Sequence, residues 1–570
     1  MNYSNNEDKQ ELITIQIGNF SNFIGAHFWN IQEENYQYSK KEQLQYEIEP
    51  EMLFRSNVNS ETLDKDIKYT PRILLFDFKS NFGSMNGDGK VIRQTSKNIE
   101  NNDLLSGGDG VNTIIKQSTG KPIDRENTSI DNSNVDFEYW SDYLNVDYNG
   151  RGLIAIPDSL LNIGSQVSGG LIYDDGFDMF ESNYEYVADL YQDNLRRMIE
   201  ECDNLSGFQC LIDTDGIWGG VSTSVLSHIQ DEYSSKVIST FASTEYNTQI
   251  ELANEESIDE RVYNSSKTIQ SIAPSNGTGL TDLFVPLSCQ RWWSQQPTTK
   301  GILGNFINKT KYQTSAEIAA SIDTATLYYR SNYRSQTLAS FVSHLTSSPS
   351  RKLCVLSTSF PNRLEDFGFT YSSSLYGREP TFPKQPLYSH PLMNYLSPRV
   401  QHTTTAQSNP LTEIISLRGI DIFKSIDEND RLELQNNYEK ISSLFKIYLS
   451  NSYNGHGRSV LNRSIVNIVQ PLTMKKNHFP ILSNKFKNIN NIDNNNNNNI
   501  NQEKQESIEN PNTILTHLQN TNLIHPFIQY LNQGYKQIVQ SKRMKRLTID
   551  QDSFVETIEI LNYLSDSYLE

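Results

Sequence analysis

The chain has 570 residues, which are too many for one ordinary hydrophobic core, so we expect two or three domains. Its formal net charge of -19 argues against a nucleic-acid-binding protein, because phosphate contacts require clustered lysine and arginine. The four cysteines show no C-x-x-C spacing, which argues against a zinc site or a disulfide framework and favours reduced, buried thiols.

The first residues and the apolar runs predict a soluble protein of the cytoplasm. No arginine precedes Arg55, and the same segment carries acidic residues, which is the opposite of a mitochondrial presequence. No apolar run approaches the ~18–20 residues that a membrane-spanning helix needs.

Strand-like and helix-like segments alternate through residues 1–250. Short apolar runs predict strands at 11–18, 71–78, 152–157, 207–213 and 236–243. Apolar residues at helical spacing predict helices at 19–38, 186–203 and 221–233. This alternation predicts an α/β domain with a parallel sheet flanked by helices. Residues from about 79 to 134 are polar and glycine-containing, so we expect a surface insertion there.

The pattern is weaker after residue 250. Helical patches and one strand-like run at 351–360 predict a second α/β or α+β domain over residues 251–480. The asparagine-rich tract at 481–512 has nothing to bury and is expected to be disordered. Residues 513–570 are expected to form a C-terminal helical region.

Three stretches, in order, resemble tubulins: residues 13–29, 69–81 and 201–233. The last is ECDNLSGFQCLIDTDGIWGGVSTSVLSHIQDEY. The segments GAHFWNIQ at 25–32, YWSDYLNV at 139–146 and SIDTATLYYRS at 321–331 resemble a divergent branch, the misato proteins. That resemblance implies a tubulin-like fold and a role in mitochondrial distribution and morphology. It covers the first domain well and the last hundred residues hardly at all.

The same resemblance implies a nucleotide-binding site, in a degraded form. The positions that match it are Gly18, Asn22, Asp77, Gly216, Gly219 and Gly220. A phosphate loop needs small residues so that backbone N–H groups can approach the anion. Here Ile217 and Trp218 add bulk, and Asp213 and Asp215 add negative charge beside the expected phosphates.

A structural interpretation explains these aspartates better than a binding site does. A carboxylate at a helix N-terminus satisfies unpaired N–H groups, so Asp215 is expected to cap the helix that follows the loop, in the place of a phosphate. Gly18 and Asn22 fit a tight turn and local hydrogen bonding equally well. Lys79 stands where tubulins have a carboxylate that helps to organise magnesium, and lysine cannot bind a divalent cation.

The sequence predicts no catalytic residue and no metal site. The stretch SSPSRKLCVLSTSFPN at 347–362 is the nearest counterpart of the tubulin segment that supplies an acid for GTP hydrolysis, and it contains neither Asp nor Glu. His27 and His228 are expected to be packing or surface residues. We therefore expect no cofactor, and the competing hypothesis is a cytoskeletal protein that binds, and even hydrolyses, GTP with magnesium.

Protein partners are expected, cytoskeletal or at the mitochondrial outer membrane, with at most peripheral membrane association. A predicted amphipathic helix carries the apolar stripe Phe527, Ile528, Leu531, Tyr535, Ile538 and Val539. A basic cluster, Lys542, Arg543, Lys545 and Arg546, follows it. Together these could bind anionic lipid on the cytosolic face of mitochondria. The favoured alternative is that the stripe packs against the protein.

Overall fold

The computed structural model describes most of the chain, with gaps. The described residues are 10–41, 47–58, 67–91, 137–161, 171–182, 184–245, 255–273, 279–288, 310–332, 336–346, 348, 350–359, 393–400, 410–419, 439–449, 460–468, 470–472, 514–541, 544 and 551–569. The Asn-rich tract and the basic cluster predicted from the sequence lie outside them.

The first layer is a six-stranded sheet, and every neighbouring pair of strands in it is parallel. Its strands are β1 Glu11–Ile17, β4 Ile73–Phe78, β5 Leu153–Ile156, β6 Leu205–Asp213, β7 Val237–Thr244 and β8 Leu283–Ser288. Their spatial order is β5-β4-β1-β6-β7-β8. A small antiparallel hairpin, β2 Phe54–Val58 with β3 Ile67–Pro71, precedes β4. The predicted parallel sheet is confirmed.

Helices cover both faces of this sheet, as its apolar strands require. The helices in chain order are α1 Asn19–Lys41, α2 Tyr173–Phe177, α3 Met179–Ser182, α4 Glu185–Glu200, α5 Trp218–Glu232, α6 Glu255–Ile272, α7 Lys311–Ala325, α8 Leu327–Arg330 and α9 Leu338–Leu345. One core cluster joins α1, α7 and α9 to one face, and a second joins α4, α5 and α6 to the other.

A second sheet of five strands packs beyond α7. Its strands are β9 Val355–Ser359, β10 Asn394–Tyr395, β11 Pro410–Arg418, β12 Asn462–Ile468 and β13 Ile514–Thr521. Their spatial order is β10-β9-β13-β11-β12, and only β11 and β12 are parallel. Helix α10, residues 439–449, covers part of one face. This mixed sheet matches the predicted α/β or α+β second unit.

Three boundaries expected from the sequence are wrong. β8 completes the first sheet although it lies beyond residue 250. β13 lies in the region expected to be only helical, yet it is the central strand of the second sheet and is buried along its whole length. Residues 79–91 belong to the fold rather than to an insertion, because Phe82 and Met85 are buried in the core. Residues 92–136 lie outside the described part.

Two helices, α11 His525–Ser541 and α12 Gln551–Ser567, pack on α6. The apolar stripe of α11 is buried or partly buried in the core cluster of that face, so the prediction that it packs against the protein is confirmed. Gly534 lies where α11 meets Val262 of α6, and a Cβ there would come within 2.7 Å of Val262 Cγ1. The glycine therefore permits the close approach of these two helices.

Candidate functional site

The carboxyl ends of the parallel strands form the edge at which a sheet of this kind binds ligands. Successive connections run outward in opposite directions from β1 and β6, so the topological switch point lies between these two central strands. Open α/β sheets bind ligands in the crevice at that point. Gly18 directly follows β1, and Asp213 is the last residue of β6, so both lie at the crevice.

The Asp213 side chain reaches across the crevice to the first turn of α1. Its Oδ2 accepts a hydrogen bond from the backbone N–H of Phe20 at 2.8 Å, and its Oδ1 accepts one from the N–H of Ser21 at 2.8 Å. Oδ1 also contacts the hydroxyl groups of Ser21 at 2.6 Å and Ser243 at 3.0 Å. These two N–H groups belong to the first turn of α1, where an anion would otherwise satisfy them.

Gly18 leaves the space that the Asp213 carboxyl group occupies. Its φ of +114° is a backbone conformation that residues with a side chain rarely adopt. A Cβ at this position would lie within 2.6 Å of the Cβ and Cγ of Asp213. The turn after β1 therefore needs glycine for two reasons, its backbone conformation and the approach of Asp213.

Burial dominates the electrostatics of Asp213. It raises the pKa of this carboxyl group to about 8, and the neighbouring carboxyl groups of Asp215 and Glu245 add to the effect, whereas the hydroxyl groups of Ser21 and Ser243 oppose it. The crevice thus holds an acid that takes up a proton near neutral pH.

Asp77, at the end of β4, is also fully buried. Its Oδ1 accepts hydrogen bonds from the Phe78 N–H at 2.8 Å and from the Asn81 amide at 2.7 Å. Its Oδ2 accepts from three further neutral donors, the amides of Asn19 and Asn22 and the indole N–H of Trp140, at 3.0–3.3 Å. Burial raises its pKa above the usual value, and the hydrogen bonds partly offset this. Five protein donors therefore occupy the oxygens that a magnesium ion would need.

The glycines after β6 allow neighbouring helices to pack closely. A Cβ on Gly219 would clash with the hydroxyl of Thr268 on α6, and a Cβ on Gly220 would come within 2.5 Å of the Phe177 N at the end of α2. Trp218 is buried and packs edge-on against Phe78, with ring centroids 5.0 Å apart. Gly219 and Gly220 thus let α2 and α6 close on the start of α5.

The expectation that Asp215 caps α5 is wrong. The residue at the N-cap position is Ile217, which has no capping side chain. The chain turns at Gly216, whose φ is +58°, and the Asp215 side chain points instead to the end of β7. There it accepts a hydrogen bond from the Glu245 N–H at 2.7 Å and lies 3.7 Å from Arg261 Nε. The carboxyl group that does cap a helix is Asp213, and the helix is α1.

The structure brings three of the six predicted site residues together. Gly18, Asn22 and Asp77 meet at the crevice, and Asn22 joins β4 to α1 through the Phe76 carbonyl group at 3.0 Å. Gly219 and Gly220 lie in α5 and contact helices. Sequence reasoning missed Ser243 and Trp140; Trp140 belongs to the segment YWSDYLNV, whose resemblance to a known family was the available signal.

Other candidate chemistry is sparse in the described residues. No group of three His, Cys, Asp or Glu side chains there could hold a metal ion. His27 is fully buried and packs between Tyr143 and Tyr312, as the packing interpretation predicts. His228 is partly buried against Tyr191. Burial raises the pKa of the Cys202 thiol to about 11, so this thiol does not form a reactive thiolate at neutral pH.

Comparisons with known proteins find similarity to misato and tubulin-like proteins. The model of the Misato Segment II tubulin-like domain matches residues 10–128, and that of a tubulin domain matches residues 129–331. The chain is 29% identical over 323 residues to the protein dml1 of Aspergillus clavatus, which is 56% of this chain and 60% of that protein. It is 27% identical over 393 residues to the protein misato of Drosophila melanogaster, 63% of this chain and 66% of that protein.

The chain is therefore similar to the misato proteins over these segments. The alignments span about three fifths to two thirds of the length of these relatives. The tubulin-like fold expected from the resemblance is confirmed.

One family segment, SIDTATLYYRS, forms the junction between the two sheets. It ends α7 and contains α8, and its Asp323 is fully buried. Asp323 pairs with Arg330 at 2.8 Å and with Arg418 at the end of β11, and both guanidinium groups are also fully buried. The Gln32 amide of α1 donates to the same carboxylate at 2.7 Å. This misato segment therefore ties the first sheet to the second through buried charges.

Among the described residues, no helix is both long and apolar enough to cross a membrane.

Proposed function

We propose that this misato-like protein is a non-enzymatic, tubulin-like protein that acts in mitochondrial distribution and morphology through contacts with other proteins. The main supporting observation is that the Asp213 carboxyl group accepts hydrogen bonds from the N–H groups of Phe20 and Ser21 at the switch point. A protein whose crevice holds its own carboxyl group does not need a nucleotide there to complete its fold.

The occupied N–H groups of α1 support the absence of a bound nucleotide. The N–H groups of Phe20 and Ser21, which a phosphate would need, already donate hydrogen bonds to Asp213. Burial raises the pKa of this carboxyl group to about 8, so it lies there mostly protonated at neutral pH. A triphosphate entering this edge would have to displace Asp213.

Two further observations argue against GTP hydrolysis by this protein. The exposed Lys79 stands beside the saturated Asp77, so this pair offers magnesium no open oxygen ligand. The segment from α9 to β9, which precedes the second sheet, contains no acidic residue among those described in 336–359. Without an acid there, that segment cannot orient an attacking water for a neighbouring subunit.

In its mitochondrial role, the protein would act from the cytoplasm and on the cytosolic face of mitochondria. The apolar stripe of α11 is packed against α6 and α12, so it does not face outward to enter a lipid surface. Protein contacts, with cytoskeletal or outer-membrane partners, therefore account better for recruitment than lipid does.

Two experiments test the proposal. Chromatography of the supernatant after denaturing the full-length protein should recover no guanine nucleotide; one equivalent would contradict the closed crevice. In cells that lack the protein, re-expression of the wild type and of Lys79→Ala should restore mitochondrial distribution equally. Rescue that depends on the residue at position 79, or no mitochondrial defect in such cells, would contradict the proposal.

A further inference from the structure

A buried lysine ammonium group lies between α6 and the C-terminal helix α12. Lys267 is only 9% exposed, and its Nζ donates a hydrogen bond to the hydroxyl of Ser553 at 3.2 Å. It also lies 5.8 Å from the ring centroid of Tyr173. In the part of the chain that the structure describes, no carboxylate is within ion-pair distance of it. A buried ammonium group without an anion is costly, because three donors and a full charge meet one neutral acceptor.

The charged groups that face Lys267 do not neutralise it. Burial lowers its pKa, and the carboxylates of Asp174 and Glu556 oppose that effect from a distance. Asp174 uses one oxygen to accept a hydrogen bond from the Tyr263 hydroxyl at 2.6 Å. Glu556 is exposed. The position is therefore one where a nearby anion would be stabilised.

Ser553 has the surroundings of an acceptor for a phosphoryl group. It is partly exposed and is the third residue of α12, in the first turn, where the helix dipole and unpaired N–H groups favour negative charge. Asp552 precedes it, and Glu556 lies three residues after it. Acidic residues at these positions suit a serine kinase whose substrate groove is basic.

We propose that Ser553 is a phosphorylation site and that Lys267 is the residue that binds the phosphate. The geometry joins a buried cation, a hydroxyl group 3.2 Å from it and a helix N-terminus in one place. The modification would fasten α12 to α6 by a charge-assisted pair in place of a neutral hydrogen bond.

The reaction needs a protein kinase and MgATP. The Ser553 Oγ attacks the γ-phosphorus, the new O–P bond forms as the bond to the ADP oxygen breaks, and the hydroxyl proton passes to the general base of the kinase. Since the hydroxyl is partly buried, the first turn of α12 opens for the kinase and closes again on Lys267.

A stack of three aromatic rings connects α12 to α11 and α6, so phosphorylation of Ser553 would affect all three helices. Tyr263 of α6 stacks on Tyr535 of α11 with centroids 5.7 Å apart, and Tyr535 stacks on Phe554 of α12 at 6.0 Å. Phe554 follows the modified serine directly. A phosphate held by Lys267 would therefore hold both C-terminal helices more tightly on the first domain.

Treatment of the full-length protein with MgATP and an acid-directed serine kinase should place one phosphate on the wild type and none at this position on Ser553→Ala. A phosphorus NMR titration should then give a phosphoserine whose second pKa is lower by about 1 than in Lys267→Met carrying the same phosphate. Amide exchange in α12 should also slow by about tenfold on phosphorylation of the wild type, and not in Lys267→Met.

Lys267→Gln is the second variant in case Lys267→Met folds poorly. Failure of the kinase to modify Ser553 would overturn the site. A phosphate at Ser553 with the same second pKa and the same amide exchange in wild type and variant would overturn the role of Lys267. Either result leaves the nucleotide content of the crevice, and so the proposed function, unaffected.

Discussion

The Asp213 carboxyl group lies directly against the backbone of Gly18, at the point where β1 and β6 end side by side. The two residues are 195 positions apart in the chain, yet each restricts the residue type that the other position can hold. Gly18 has no side chain to exclude the carboxyl group, and Asp213 supplies the acceptors that the turn after Gly18 requires.

Replacing Gly18 by alanine should destabilise the first domain strongly. The new methyl group would meet Asp213 Cβ within 2.6 Å, in a backbone conformation with φ of +114°. Strained backbone of this kind costs about 1–3 kcal/mol before any clash is counted. Gly216→Ala is the matched control, because φ there is also positive but the nearest atom, the Leu171 carbonyl oxygen, is 3.6 Å away. Urea denaturation should show the larger loss for Gly18→Ala; equal losses would contradict the fit between Gly18 and Asp213.

Asp213 should give the stability a dependence on pH that Asp213→Asn lacks. Its folded pKa of about 8 lies above the ordinary value of 3.8, so the protonated form is favoured by folding. The stability that the protonated Asp213 carboxyl group contributes is complete below pH 3.8 and is lost as the pH rises through 8. The free energy of unfolding of the wild type, relative to Asp213→Asn, should therefore fall by about 1.4 kcal/mol per pH unit within that window. Chemical denaturation at pH 5, 6 and 7 measures it, and a difference that rises with pH would show an ionised Asp213.

Asp323→Asn should destabilise the junction between the two sheets by about 3–5 kcal/mol, because it leaves two buried guanidinium groups without their anion. Burial alone would raise the pKa of Asp323, but Arg418 and Arg330 lower it overall, so its contribution is present above pH 3.8 and is lost only in more acidic solution. Asp193→Asn, which breaks exposed pairs with Arg196 and Arg197, is the control and should change little. Equal thermal unfolding midpoints for Asp323→Asn and Asp193→Asn would contradict the claim that Asp323 stabilises the junction between the sheets.

Gly534→Ala should destabilise the protein although alanine favours a helix by about 1 kcal/mol over glycine. The added Cβ would come within 2.7 Å of Val262 Cγ1, so α11 and α6 would have to separate. Val262→Ala in the same chain removes that contact, and the double variant should recover part of the loss. Thermal denaturation of the four proteins of this cycle measures the coupling. Independent effects of the two substitutions would contradict close packing at this point.

The sequence predicted five of the six strands of the first sheet because each contains a short apolar run, and it missed β8. Asp77 and Gly18 could be placed at the same edge, since the carboxyl ends of parallel strands meet. The partner of Asp213 could not be predicted. It lies 193 residues away in Phe20, and side-chain direction at the end of β6 depends on the turn at Gly216.

The second sheet was harder to predict for a different reason. Its central strand β13 follows the asparagine-rich tract and contains the polar residues Thr516, His517 and Gln519, so it lacks the apolar run of a buried strand. His517 is paired with Glu413 of β11 at 2.8 Å. Burial would raise the pKa of Glu413, but His517 and Arg463 lower it overall. Only the sheet, by joining distant segments, brings Glu413 to His517.

The most direct test of the closed crevice is calorimetric titration of the full-length protein with GTP and magnesium at pH 7. We expect no binding at micromolar concentrations, because Asp213 already occupies the N–H groups of Phe20 and Ser21 and Asp77 has no open oxygen for the metal. Saturable binding of one GTP with micromolar or tighter affinity would contradict it.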